Sequence, residues 1–183
     1  MRVIPDQDAR DLAAMCRSVL AAELEPAGQW KALAEAGVLG LPIDGSLGDV
    51  GVFCLEAGRA LCPRAVQSTV YAALAIDWLG VGSSWLPRLT SGEARATTAL
   101  FSPRDASDVT PTLQARRDGD RWRVSGAAGF VADADVADVI IATTDAGVVA
   151  VDATTSGITT EPEPMMGGFP VFTVRFKIGR AHV

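Results

Sequence analysis

The sequence predicts an α+β protein: an N-terminal all-α helical domain followed by an antiparallel β-barrel or sandwich domain. Three observations carry this. Before about residue 96, Ala and Leu recur at helical spacing. After it, Val, Thr and Ile run in short alternating stretches set apart by turn residues. Helices come first and strands second, so the two classes are segregated rather than interleaved as in βαβ repeats.

The first helix is predicted over residues 6–24. Leu12, Met15, Val19, Leu20 and Leu24 mark one face, and Pro26 stops it. A second covers residues 29–36, with Gly37 as its C-terminal stop. A third runs over 48–61 with Val50, Phe53, Ala57 and Leu61 on one side and Pro63 beyond. A fourth covers 66–79. A short fifth runs over 83–91, from Ser83 as N-cap to Gly92 as stop.

Strands are predicted over 97–101, 112–117, 121–125, 129–131, 138–144, 148–151 and 171–176. Asp118, Gly119 and Asp120 stand between two alternating runs, a hairpin signal. Asp145 to Gly147 supplies another turn. In the last strand Val171, Thr173 and Arg175 alternate with Phe172, Val174 and Phe176.

The chain has 183 residues, room for one large domain or two small ones, and 49% of them are hydrophobic. A net charge of -6 with no basic stripe argues against binding nucleic acid through its phosphates. Cys16, Cys54 and Cys62 sit in apolar, helix-like segments with no Cys-x-x-Cys pair, and read as buried thiols of a reducing compartment. The N-terminus has no apolar signal-peptide core, and the apolar stretch from Val70 to Val81 is too short to span a bilayer. A soluble, cytoplasmic protein is expected.

Searches for familiar chemistry return little. "GVGSS" (residues 80–84) and "MMGG" (165–168) match neither phosphate-loop pattern and read as turns. No His, Cys and carboxylate cluster has metal-ligand spacing. A histidine-based catalytic arrangement would have to use His182, the only histidine.

Four stretches in order carry a resemblance. They are "WKALAEAGVLGLP" from Trp30, "LEAGRALCP" from Leu55, "WLPRLTSGEARATTALFSP" from Trp85, and "DGDRWRVSGAAGFVADADVADVIIATT" from Asp118. Together they resemble the acyl-CoA dehydrogenase family over about residues 6–176. The resemblance implies a helical domain over residues 1–95 and the family's middle β-domain over 96–176. It implies FAD as cofactor and α,β-dehydrogenation of an acyl-CoA thioester, of fatty acid or steroid type. It implies an electron-transfer flavoprotein as electron acceptor, and a homo- or hetero-oligomer at full length. The base that takes the α-proton comes, in the family, from a C-terminal bundle beyond these residues, so no catalytic residue is assigned here and Glu56 and Glu93 read as surface or structural residues.

The resemblance also implies a flavin seat. Thr98, Leu100, Phe101 and Ser102 match the family's first flavin-contacting strand, and Ser107 the loop that follows it. There the family reads roughly Thr-Glu-Pro and then Gly-x-Gly-Ser-Asp. Here Pro103, Ser107 and Asp108 match, Phe101 and Ser102 replace Thr and Glu, and Arg104 and Ala106 replace the glycines. Phe130, Val131 and Ala132 match the second segment, roughly Trp-Ile-Thr. Phe130 can stack on an isoalloxazine ring or serve as a core aromatic, and Ala132 lacks the hydroxyl. Arg104 reads as a solvated loop residue, with a phosphate contact as the alternative. These departures leave room for another reading, a non-catalytic subunit that pairs with a catalytic relative.

The last residues, "KIGRAHV", follow an apolar strand and match the translation of a common sequencing adapter. Residues 177–183 are therefore expected to be a non-native tail, with native sequence ending near Phe176.

Overall fold

A computed structural model of the chain describes residues 6–22, 24–62, 64–118, 121–165 and 169–182. Gly119 and Asp120 of the expected hairpin, Pro63, and Met166, Gly167 and Gly168 of "MMGG" lie outside the described residues.

The helices come first. α1 (Gln7–Leu20) starts at Asp6, whose carboxylate accepts the Ala9 N–H at 3.0 Å. It ends four residues short of the expected Leu24. α2 (Pro26–Glu35) begins three residues earlier than expected, because Pro26 occupies its first turn instead of merely stopping α1. Gly37 at φ +77° then turns the chain into a 3₁₀ turn, Val38–Gly40, and the one-turn α3 (Leu41–Asp44), both absent from the sequence reading. α4 (Leu47–Arg59) opens with a capping box in which Ser46 and Asp49 satisfy each other's backbone N–H. α5 (Val66–Leu79) has the expected limits and closes at Gly80 in the left-handed region. The expected fifth helix is split into a 3₁₀ turn, Ser83–Trp85, and α6 (Leu86–Thr90).

The strands are β1 (Ala96–Ala99), β2 (Gln114–Asp118), β3 (Arg121–Ala132), β4 (Val139–Thr144), β5 (Gly147–Asp152), β6 (Ile158–Glu163) and β7 (Val171–His182). They form one sheet in the order β1-β4-β5-β7-β3-β2, with β6 paired to β7. All pairs are antiparallel except β1 with β4, and no ladder closes β2 onto β1 among the described residues, so the sheet is not a closed barrel. The expected strands at 121–125 and 129–131 are one continuous β3. Its small residues Ser125 to Gly129 hide strand character from a propensity reading. β6 was also missed, because Pro162 and three exposed polar residues mask an edge strand. β7 continues its backbone pairing through residues 177–182, against β3 and β5.

Three cores hold the fold. One lies among α1, α2, α4 and the start of α5, around Leu33, Leu39, Phe53 and Val70. One fills the sheet around Val124, Val131, Ile140, Val174 and Phe176. The third joins them: Ala72, Ala73 and Ile76 of α5 pack on Ala96, Val139, Ile141 and Ala150. α5 thus lies across the sheet at β1 and β4, which places the helices beside the start of β1 and the end of β3. Of the three cysteines only Cys16 is fully buried; Cys54 and Cys62 are half-buried, because α4 turns Cys54 outward and Cys62 lies past its end.

Candidate functional site

The two segments expected to form a flavin seat meet. The Gly129 N–H donates to the Phe101 carbonyl at 3.0 Å, and the Thr97 hydroxyl donates to the Ala132 carbonyl at 2.6 Å. Gly129 permits the crossing: a Cβ there would stand 2.5 Å from Pro103 Cα. β1 alternates, so Thr97 and Ala99 are buried while Thr98 and Leu100 are half-buried on the other face.

At this crossing β3 carries a bulge. Ala128 pairs with Val174 and Val131 with Phe172, so Gly129 and Phe130 stand against Thr173 alone. Phe130, inside the bulge, and Asp133, just past the re-paired Val131 and Ala132, are both non-glycine residues in the left-handed region, each at φ +54°. Each stores about 1–3 kcal/mol of strain, which the surroundings must offset.

Around Asp133 those surroundings are specific. Its Oδ1 accepts from Arg64 Nε at 3.2 Å; its Oδ2 accepts from the Ala65 N–H at 3.0 Å and the Ser68 hydroxyl at 2.6 Å. Arg64 also pairs with Asp135. Ala65 is the residue that precedes α5, is itself left-handed at φ +67°, and has no side-chain oxygen to cap the helix. Asp133 supplies that cap from the β-domain. The sequence reading missed this role, because the pair is separated by 68 positions.

Behind Asp133 lies a cavity of about 220 Å³ between the domains, with Thr98, Ala132, Tyr71, Ser68, Gln67 and Phe169 on its walls. The Thr98 hydroxyl and the Gln67 amide have no hydrogen-bond partner among the described residues, so both face the cavity with free donors. The Asp133 carboxylate is fully engaged. Cys54 Sγ and Tyr71 Oη lie 3.6 Å apart, and this contact, with burial behind it, raises the Tyr71 phenol above its ordinary value. Burial, helped by nearby Cys54, pushes the Cys62 thiol up to about 12. The charged groups on the cavity wall, Arg64 and Asp133, are paired with each other, and the raised Cys62 thiol is a poor nucleophile.

The other expected contacts are placed differently. Val131 is fully buried in the sheet core, so only its backbone can meet a ligand. Ser102 is buried, its N–H donating to the Asp108 carbonyl at 2.8 Å. Leu100 and Phe101 are half-buried but do not line the cavity. The exposed Ser107 gives both its N–H and its hydroxyl to Asp105 Oδ1 at 2.8 Å, and these bonds hold the Asp105 carboxyl below its usual range. Arg104 is exposed. Glu93 is exposed, whereas Glu56 is buried at 2% exposure between Arg17 and Arg59, a structural position. Among the described residues no three His, Cys, Asp or Glu side chains gather as a metal site, and no helix is long and apolar enough to cross a membrane.

Comparison with known proteins gives a consistent picture. No family model matches. (2S)-Methylsuccinyl-CoA dehydrogenase from Cereibacter sphaeroides is 31% identical over 127 residues, 57% of this chain and 21% of that protein. A solved variant of the Tcur3481-Tcur3483 steroid ACAD superposes with TM-score 0.82 at 26% identity, over 96% of this chain and 56% of that one. A glutaryl-CoA dehydrogenase from Mycobacterium smegmatis, solved in complex with FADH2, superposes with TM-score 0.79 at 24% identity, over 97% of this chain and 54% of that one. This chain thus spans little more than half the length of those solved chains and about a fifth of the curated relative.

Proposed function

We propose that this chain, which belongs to the acyl-CoA dehydrogenase family, is the flavin-seating part of an FAD-dependent enzyme that oxidises the Cα–Cβ bond of an acyl-CoA thioester. The observation that carries the reading is the crossing of β1 and β3 beside a cavity under α5 whose charged wall groups, Arg64 and Asp133, are already paired with each other. The donor set fits a flavin ring edge, which offers carbonyl, imine and N–H groups and no strong charge. Thr98 would hold that edge through its free hydroxyl, Ala132 through its backbone, and Phe130 would contact the ring. When bound, the flavin accepts the β-hydrogen as hydride.

The chain's own contribution is to orient and enclose. Asp133 keeps the cavity wall fixed by tying α5 to the sheet end. Tyr71 and Cys62 stay neutral, so neither puts a competing charge or nucleophile beside the thioester. α5 is apolar on its outer side too: Tyr71 is 48% and Trp78 67% exposed, and Leu55 of α4 is 56% exposed. In this reading that face is covered by residues equivalent to the remaining length of the relatives, which also supply the base. The division into residues 1–95, 96–176 and a non-native 177–183 is part of the proposal, as are a cytoplasmic location, an electron-transfer flavoprotein as acceptor and an oligomeric assembly.

One test is the visible absorbance of the protein purified with the full coding region. Bound oxidised flavin that bleaches anaerobically on adding an acyl-CoA supports the enzyme. The missing hydroxyl at Ala132 and the engaged Ser107 favour one second reading, a non-catalytic subunit. Bound flavin that no acyl-CoA bleaches unless a partner chain is added would select it. Colourless protein that takes up no added FAD would refute both.

A further inference from the structure

Glu163 stands at the end of β6, beyond both segments assigned to the flavin seat. Its Oε1 accepts from the Phe130 N–H at 3.4 Å and from the Thr173 hydroxyl. β7 lies between β6 and β3, with Glu163 opposite Val171 and Phe172 opposite Val131. The Glu163 side chain therefore reaches across β7 to the bulge in β3.

That reach meets a specific need. At the bulge, β3 leaves the β7 ladder, and residues 129 and 130 lose their cross-strand partners. Gly129 regains one at the Phe101 carbonyl. Phe130 N–H has no carbonyl there, and its left-handed φ turns it away from the ladder. A backbone N–H left unpaired in a half-buried place is costly, and a carboxylate is a strong acceptor for it. The Thr173 hydroxyl holds the same oxygen in place from β7.

We propose that Glu163 is a positioning residue for Phe130: its carboxylate, steadied by Thr173, fixes the left-handed bulge that sets where Phe130 stands at the β1–β3 crossing. The proposal rests on the flavin reading only for its consequence, since the bulge geometry exists in the chain alone. Glu161 is the natural control. It lies two residues away on the same strand and pairs with Arg175 at the surface.

The test is residue-resolved amide hydrogen exchange on the whole chain without flavin, followed by FAD titration. Glu163→Ala should speed exchange at the Phe130 N–H at least about tenfold, leaving Gly129 and Val131 unchanged. Glu163→Gln, which keeps an acceptor oxygen, should restore most of the protection, and Glu161→Ala should change nothing at Phe130. Should Glu163→Ala not fold, Thr173→Val tests the same link, with a smaller acceleration at Phe130. Equal exchange at Phe130 in the parent, Glu163→Ala and Thr173→Val overturns the proposal. In FAD titration, Glu163→Ala should bind about tenfold more weakly than Glu161→Ala. No FAD binding by any form refutes the flavin reading for this chain while the exchange result still decides Glu163.

Discussion

The Asp133 carboxylate accepts the backbone N–H of Ala65 at 3.0 Å and so caps a helix that belongs to the other domain. A helix that starts at a left-handed alanine has no local acceptor for its first N–H groups. Ser68 and Arg64 share the same carboxylate, so one side chain joins helix start, loop cation and sheet end. Asp133→Ala should lower stability by about 2–3 kcal/mol, since it removes a cap and a largely buried ion-pair partner. Asp133→Asn should lose roughly half as much, because Asn tolerates the left-handed region and keeps one acceptor. Urea unfolding of the three forms measures both.

The Glu56 carboxylate is buried while its partners Arg17 and Arg59 are 61% and 62% exposed. Arg59 donates to Oε1 at 2.6 Å, but Oε2 makes no hydrogen bond although Arg17 Nε lies 3.1 Å away. Removing both arginines strands a buried charge and should cost about 3 kcal/mol. Adding Glu56→Leu to that double variant should recover most of the loss in thermal melts.

Cys62 gives a pH prediction. Its thiol is raised from 9.0 to about 12 by burial and by Cys54. The folded state thus keeps a proton that the unfolded chain gives up near pH 9. The associated stability is fully present below pH 9 and is lost as pH rises toward 12. Alkylation of Cys62 at pH 9 should be slower by roughly a hundredfold in the native chain than in urea, read by mass spectrometry of the labelled peptide.

In the proposed flavin seat, Ala132 is a position without a side-chain donor. Its side chain faces the cavity beside Thr98 and brings no donor. Ala132→Thr should tighten FAD binding about tenfold, one added hydrogen bond's worth, in a fluorescence titration. An unchanged affinity would place the ring elsewhere.

The fold was legible where periodicity is long and end signals are local. α5 was read to the residue, and α1, α2 and α4 to within a few residues at each end. The errors fall where tertiary contacts decide. The Ser125–Gly129 segment is strand because β7 pairs with it, and β6 exists only as the outer neighbour of β7. The two segments that the resemblance assigns to a flavin seat meet at the Phe101–Gly129 bridge and the Thr97–Ala132 hydrogen bond. The residues that hold them, Asp133 and Glu163, could not be read from sequence: their partners are 68 and 33 positions away, and no spacing rule links them.

The position of β7 has a further consequence for biosynthesis. Residues 171–176 sit between β3 and β6, with β3 made first. A nascent chain must therefore hold the long β3 edge unpaired while residues 133–170 are translated, a wait of roughly several seconds at ribosomal speed. Bare strand edges are the surfaces that stick to other chains. Yield in cells should thus depend on elongation rate and on trigger-type chaperones more steeply than the equilibrium stability of the finished sheet would suggest.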